Sequence, residues 1–185
     1  MHVEPNEILA ERPVPQQTLP WFEIRTSPID GSGAFALRPI PSGTRLIEYT
    51  GERITHEVAD ARYNDLEMER HHTFLFSVDE QTVIDATREG NDARYINHSC
   101  DPNCESVIEE GRVYIDAIRD IAAGEELFFD YAYERDGKEN AEDEQRYACR
   151  CGAAACRKTI LAPPDDDTES DDPSPPRPDV NQTRS

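Results

Sequence analysis

The sequence predicts a mainly β domain built from short strands, with few short helices. Two pairs of apolar runs, each interrupted by a polar turn, indicate two β-hairpins. The first pair spans 74–78 and 82–86, and the second spans 106–108 and 112–118. Turn-forming Gly, Pro and Asp residues separate most of the other apolar runs, which leaves little length for helices.

The remaining elements can be predicted in chain order. Residues 1–20 carry repeated prolines and little periodic hydrophobicity, which predicts an extended arm. Residues 55–70 are the best helix candidate, with Thr55 as its N-cap and several apolar residues on one side. Further strands are predicted at 21–25, 34–37, 45–49 and 127–133.

Changes in composition divide the 185 residues into one folded domain and flanking segments. The predicted order is the arm 1–20, the domain 21–134, an acidic linker loop 135–147, a cysteine-bearing segment 148–162 and a tail 163–185. The tail contains Pro, Asp, Ser and Glu and no aromatic residue, so it is predicted to be disordered. The linker is interpreted as a solvated loop, with contact to a basic substrate as the alternative.

The charge of the chain favours a basic partner. Its formal net charge of −20 disfavours direct binding to nucleic acid and attracts Lys/Arg-rich peptides. No signal peptide and no long apolar run is visible, so we expect no membrane association. An odd count of five cysteines favours a reduced, intracellular compartment over a secreted disulfide framework.

The cysteines suggest a metal site. Cys149, Cys151 and Cys156 lie within eight residues, a spacing poor for disulfides and suited to sharing one zinc ion. Tetrahedral zinc needs a fourth ligand, and spacing leaves both Cys100 and Cys104 as candidates. The alternative is that these are unrelated reduced thiols. Four thiolates would form a closed structural site with no position open for catalysis.

Residues 91–104 are dense in polar groups that make poor core filling and need hydrogen-bond partners. The run 94–103, RYINHSCDPN, resembles the signature of the SET-domain protein lysine methyltransferases. Three other segments resemble the motifs of that family in the same order: DGSGAF at 30–35, YTGE at 49–52 and GEELFFDY at 124–131. Residues 149–156 resemble the post-SET zinc unit of trithorax-like or Suv39-like members, and no cysteine-rich pre-SET unit is visible.

The resemblance implies the SET fold, with small β-sheets and a pseudoknot in which the 97–103 stretch passes through a loop near the last strand. It also implies that S-adenosylmethionine and a peptide lysine bind on opposite faces, joined by a narrow channel. The cofactor-binding positions would be Asp30, Ser32, Gly33, Phe74, Asn97, His98 and Tyr131. The metal ligands would be Cys100, Cys149, Cys151 and Cys156, with Cys104 as the spare thiol.

Three aromatic residues carry the catalytic expectation. By the resemblance, Tyr131 is the catalytic tyrosine, Tyr49 lines the lysine side, and Phe129 occupies the position where Phe or Tyr tunes the product. Phe leaves room for further methyl groups, so di- or trimethylation is the hypothesis. Phe74 stands where many relatives have Tyr, which removes one hydroxyl from the pocket.

The resulting hypothesis is a protein lysine methyltransferase acting on a basic tail, histone or otherwise. A catalytically silent SET-fold module that binds a basic tail and a zinc-stapled scaffold are the alternatives. The intact Asn97, His98 and Tyr131 argue against a silent module. A nuclear, chromatin location is expected in a eukaryote, and a cytoplasmic one in a bacterium.

Overall fold

A computed structural model describes residues 19–63, 73–135 and 141–163 and confirms a mainly β fold. The strands are β1 Phe22–Thr26, β2 Ser32–Ala36, β3 Arg45–Tyr49, β4 Glu52–Ile54, β5 Leu75–Ser77, β6 Val83–Asp85, β7 Asn97–His98, β8 Cys104–Glu109, β9 Arg112–Ala117 and β10 Phe128–Phe129. The helices are α1 His56–Arg62, α2 Ala141–Arg146 and a 3₁₀ turn Asp92–Tyr95.

The strands form small separate sheets. β1 pairs with β2, β3-β9-β8 and β4-β6-β5 form three-stranded sheets, and β7 pairs with β10. The β7–β10 pairing is parallel, with Asn97 opposite Phe128 and His98 opposite Phe129, whereas the other sheets are antiparallel. These sheets are built from short strands separated by frequent turns, as the pattern of apolar runs and turn residues predicted.

Both predicted hairpins are confirmed. β5 and β6 pair around the polar turn, with Phe76 opposite Ile84. β8 and β9 pair from Cys104–Ala117 to Glu109–Arg112. The two residues that connect β8 to β9, Glu110 and Gly111, have φ values of 51° and 74°. This left-handed pair is the turn geometry that matches the twist of a two-residue hairpin, and Gly adopts it without steric penalty.

The core follows the alternation of the strands. On β9 the buried residues Val113, Ile115 and Ala117 alternate with partly exposed or exposed ones. Among the described residues, the buried hydrophobic side chains form two clusters. Ile115 and Ala117 pack in the larger one with Ile96, Leu127 and Phe129. The larger cluster therefore joins the β3-β9-β8 sheet, called the central sheet below, to the two segments that carry the predicted signature and closing motifs.

The buried side chain of Asn103 links the signature segment to the closing-motif segment by hydrogen bonds. Its amide nitrogen donates to the carbonyl oxygen of Glu126 at 2.8 Å, and its oxygen accepts from the main-chain nitrogen of Phe128 at 2.8 Å. The main-chain nitrogen of Ser99 also donates to the carbonyl oxygen of Phe129 at 3.3 Å. The contact between the two segments that the pseudoknot requires is therefore present.

The predicted helix and last strand differ from the structure in length. α1 begins as expected, because Thr55 accepts a hydrogen bond from the main-chain nitrogen of Val58, and it ends at Arg62. Residues 64–70 of that prediction lie outside the described residues. The predicted strand 127–133 is wrong beyond Phe129, because Ala132 has a positive φ of 44° and its nitrogen donates to the Asp130 carboxylate.

The predicted linker loop 135–147 is also wrong in part, since α2 occupies Ala141–Arg146. Ala, Glu, Gln and Arg in this run all favour helix, and charge alone gave a misleading prediction. Residues 136–140, most of the arm 1–20 and all but Pro163 of the tail 163–185 lie outside the described residues. No helix within 19–63, 73–135 and 141–163 has the length and apolar content needed to span a membrane.

Replacing Asn103 with Ala is predicted to destabilise the fold by about 2–4 kcal/mol, because it leaves a buried N–H and a buried C=O without partners. Urea unfolding followed by tryptophan fluorescence measures the change. The control is Asp101→Ala in the same turn, where the side chain is exposed and the expected change is below about 0.5 kcal/mol. Equal stability of the two variants would contradict the assigned role of Asn103.

Candidate active site

Two neighbouring cavities meet at the end of β10. The larger has a volume of about 530 Å³, and the smaller about 80 Å³. Both are lined by Thr73, Phe74, Arg94, Tyr131 and Tyr133. These shared residues form the partition between the two cavities, and Tyr131 is among them.

Aromatic side chains dominate the wall of the larger cavity. Phe129 is buried, and its ring centroid lies 4.8 Å from that of Tyr131 and 6.4 Å from that of Phe76. The Phe76 ring in turn lies 5.5 Å from Tyr49. Such a wall offers apolar surface and the negative faces of aromatic rings, which suit an alkyl chain that ends in a cationic group.

Tyr131 is held by two hydrogen bonds to the β7 region. Its hydroxyl donates to the carbonyl oxygen of Ile96 at 3.1 Å, and its main-chain nitrogen donates to Nδ1 of His98 at 3.1 Å. Both partners belong to the predicted signature, 33 and 35 positions away. The β7–β10 pairing therefore fixes the phenol at the partition between the cavities.

Tyr49 closes another part of the larger cavity. Its hydroxyl donates to the carbonyl oxygen of Phe74 at 3.1 Å. Burial raises the pKa of the Tyr49 phenol above its ordinary value, so this group stays protonated near neutral pH. The Phe74 ring lies edge-on to Tyr95, with centroids 6.0 Å apart. Tyr49 thus positions the main chain of Phe74, one of the residues of the partition.

His98 lies between Tyr131 and the cysteines. Its ring is buried, Nδ1 accepts from Tyr131, and Nε2 lies 3.3 Å from the sulfur of Cys100. Burial lowers the pKa of His98 to about 4, so the imidazole is neutral near pH 7. Because Nδ1 accepts, the proton is on Nε2 and points to the sulfur. Both ring nitrogens are therefore already engaged.

Asn97 and Ser32 line the smaller cavity together, and Glu126 fixes the Asn97 amide. The Asn97 amide nitrogen donates to the Ser32 carbonyl oxygen at 2.9 Å and to the Glu126 carboxylate at 3.0 Å. Because the Ser32 and Glu126 oxygens can only accept, the amide atom that faces them must be the nitrogen. Oδ1 is therefore the atom of Asn97 that is available to a ligand. A methyl group on Gly33 would lie 2.1 Å from the Glu126 carboxylate oxygen, so this approach requires glycine.

Sequence reasoning missed the role of Glu126. Its neighbour Glu125 makes local contacts: it pairs with Arg119 and accepts from the main-chain nitrogen of Ala122. Glu126 instead contacts Asn97, 29 positions away, and is 8% exposed. No local pattern separates these adjacent glutamates, since the partner of Glu126 comes from a distant segment.

The remaining predicted site residues fall near the cavities. Asp30 lines the smaller cavity, whereas Gly33 lines neither cavity and follows Ser32, which lines the smaller one. Arg94 lines both cavities, and its side chain donates to the carbonyl oxygen of Ala86 at 3.0 Å, a contact that supports this loop. Apart from Gly33, the predicted aromatic and cofactor-binding residues thus line one or both of the cavities.

Four cysteine sulfurs lie within 4.8 Å of one another, those of Cys100, Cys149, Cys151 and Cys156. The Cys100 sulfur lies 3.7 Å from that of Cys149 and 4.0 Å from that of Cys156. Sulfurs arranged tetrahedrally around zinc at about 2.3 Å are about 3.8 Å apart, so the spacing is compatible with one ion. Main-chain nitrogens of Cys151, Arg157 and Lys158 also donate to these sulfurs.

Cys104 takes no part in this cluster. It is fully buried in the larger core cluster, and burial raises its pKa to about 12. The fold thus places Cys100, and not Cys104, beside the three C-terminal thiols.

An ion pair between Arg157 and Asp130, with contacts of 2.7 and 2.8 Å, joins the cysteine segment to the end of β10.

Comparison with known proteins places these features in a family. Residues 31–132 match the SET domain. Over 136 residues the chain is 47% identical to an H3 lysine-4 specific histone-lysine N-methyltransferase of Eremothecium gossypii, covering 71% of this chain and 14% of that protein.

A Saccharomyces cerevisiae protein of the same name is also 47% identical over 136 residues, covering 71% of this chain and 12% of that protein. The histone-lysine N-methyltransferase trr of Drosophila melanogaster is 44% identical over 137 residues, covering 71% of this chain and 5% of that protein. The chain therefore spans only a small part of the length of these relatives.

Proposed function

This chain belongs to the SET-domain family, and from that premise we propose that it is an S-adenosylmethionine-dependent protein lysine N-methyltransferase. The observation that carries the proposal is the position of Tyr131 at the partition between an aromatic cavity and a smaller polar one. Transfer between two ligands requires them to approach from opposite sides of one small opening, and this partition offers such a place.

The proposed substrate is a histone tail, in particular the region around lysine 4 of histone H3. This proposal follows the names of the relatives, which are histone-lysine methyltransferases and in several cases H3 lysine-4 specific. The formal net charge of −20 supports it, because an acidic protein attracts a Lys/Arg-rich tail. A nuclear, chromatin location in a eukaryote, or a cytoplasmic one in a bacterium, is proposed on the same basis.

The smaller cavity is the proposed cofactor site. Residues that would hold S-adenosylmethionine are Asp30, Ser32, Gly33, Phe74, Asn97, His98 and Tyr131. Asn97 Oδ1 suits an ammonium group, because the amide nitrogen is committed to Ser32 and Glu126. With both ring nitrogens engaged, His98 would contact a ligand through its main chain or ring edge. The volume of about 80 Å³ holds part of the cofactor, and the rest would extend outside it.

The larger cavity would prepare the substrate amine. When bound, S-adenosylmethionine supplies a methyl group activated by a sulfonium. Lysine ordinarily titrates near 10.4, and only its neutral amine is a nucleophile. Walls formed by Tyr49, Phe74 and Phe129 remove water from the side chain, which lowers the pKa of the amine and releases its proton to solvent. The Tyr131 hydroxyl would orient the nitrogen.

Tyr131→Phe is predicted to lower kcat by roughly 100-fold or more, because the hydroxyl that orients the amine is lost. Transfer of labelled methyl groups to an H3 peptide measures it. The control is Tyr114→Phe, on the surface of the central sheet, with unchanged kcat expected. Equal activity of Tyr131→Phe and the unmodified protein would contradict the proposal. Cofactor binding by calorimetry without turnover on any histone would favour the silent module.

Phe129→Tyr is predicted to shift the product from di- and trimethyl-lysine toward monomethyl-lysine. Phe129 is 5% exposed against the Tyr131 ring, so an added hydroxyl would hold a water in the space that extra methyl groups need. Mass spectrometry of the methylated peptide reads the product directly. Phe128→Tyr is the matched control, since neighbouring residues of a strand face opposite sides. Monomethyl product from the unmodified protein would contradict the prediction.

One structural zinc ion is proposed for Cys100, Cys149, Cys151 and Cys156. Metal analysis of the purified protein is predicted to give one zinc per chain. Cys151→Ser is expected to abolish retention of zinc and lower the melting temperature, because three thiolates hold the ion far less tightly. Cys104→Ser is the control and retains zinc. Loss of zinc from both variants, or from neither, would contradict the ligand set.

A further inference from the structure

Helix α1 forms one wall of the larger cavity. His56, Ala59 and Asp60 of this helix line the cavity, and so does Tyr63, the residue that follows it. α1 has only seven residues, and an isolated helix of this length is unstable in water. Its position, and hence the shape of this wall, must therefore depend on contacts with the neighbouring sheet.

Arg62 provides ion-pair contacts of this kind. Its guanidinium binds the Glu52 carboxylate of β4 through two parallel hydrogen bonds of 2.7 and 2.9 Å. The same guanidinium donates to the Asp85 carboxylate of β6 at 2.9 Å. The Arg62 side chain is 24% exposed, so these pairs are better shielded from solvent than surface ion pairs. One side chain at the end of α1 thus joins the helix to two strands.

Asp85 explains why this contact is strong. Its side chain is fully buried, and a buried carboxylate is stable only when it is paired and hydrogen-bonded. Besides Arg62, Asp85 accepts from the Tyr63 hydroxyl at 3.1 Å and from the main-chain nitrogen of Thr87 at 3.0 Å. Arg62 and Tyr63 therefore satisfy a charge that the sheet cannot leave unpaired.

We propose that Arg62 is a positioning residue for the peptide substrate. By pairing with Glu52 and buried Asp85, it holds α1 in place as a wall of the larger cavity. The proposal rests on the proposed function, in which this cavity receives the substrate lysine. Arg62 itself lines neither cavity, so its effect passes through His56, Asp60 and Tyr63.

The two cavities give this proposal a selective consequence. The lining of the smaller cavity comes from the loop before β2 and the start of β2, from the 3₁₀ turn and β7, from the partition and from the cysteine segment. It includes no residue of α1. Displacement of α1 would therefore widen the peptide side and leave the cofactor side unchanged. A general loss of folding would instead weaken both sides together.

The test compares Arg62→Ala and Arg62→Lys with the unmodified protein. For Arg62→Ala, KM and Kd for an H3 peptide are expected to rise about tenfold or more, with Kd for the cofactor product S-adenosylhomocysteine changed by less than about twofold. Arg62→Lys should be intermediate, because an ammonium cannot make the two parallel bonds. Amides 56–63 should exchange hydrogen faster, and those of 104–117 should not.

Arg88→Ala is the matched control. Arg88 also faces Glu52, at 3.8 Å, but its side chain is 62% exposed, and no change in peptide affinity is expected. If Arg62→Ala does not fold, Glu52→Gln makes the same test with a milder change. Unchanged peptide Kd in both, or equal losses for peptide and cofactor, would overturn the inference. Calorimetric peptide binding needs no turnover, so failure of the proposed activity remains distinguishable.

Discussion

The parallel pairing of β7 with β10, held together by the buried amide of Asn103, is the constraint on which the site depends. It joins two segments about thirty positions apart, and each contributes part of the site. Asn97 and His98 come from the first segment, and Phe129 and Tyr131 from the second. Two residues per strand provide few ladder hydrogen bonds, so the buried Asn103 side chain supplies bonds that a longer ladder would otherwise make.

The cysteine cluster adds a second constraint from the carboxyl side. Cys100 lies two residues after β7, so any ion shared with Cys149, Cys151 and Cys156 would fix the C-terminal segment beside the signature. That segment lines the smaller cavity, and Tyr147 just before it lines the larger one. A structural ion here would shape both cavities and take no part in the reaction.

The sequence predicted the features that depend on local pattern and recognisable motifs. The hairpins, the strand 45–49 and the Thr55 cap rest on neighbouring residues, and the structure contains them. Prediction from the sequence failed where the contacting residue lies far away in the chain or where the local pattern is weak. The predicted last strand stops at Phe129 because Tyr131 bonds His98, and α2 forms in a run interpreted as loop from its charge. Arg62 and Glu126 gave no local signal, since their partners lie 10 to 29 positions away.

In the proposed reaction, the methyl donor and the lysine acceptor meet on opposite sides of Tyr131. A crystal structure of the protein with S-adenosylhomocysteine and an H3 lysine-4 peptide tests it most directly. We expect the cofactor product to lie against Asn97 and His98, and the lysine to lie among Tyr49, Phe129 and Tyr131, with its nitrogen directed at the sulfur. A lysine bound away from the aromatic cavity, or both ligands on one side of Tyr131, would contradict it.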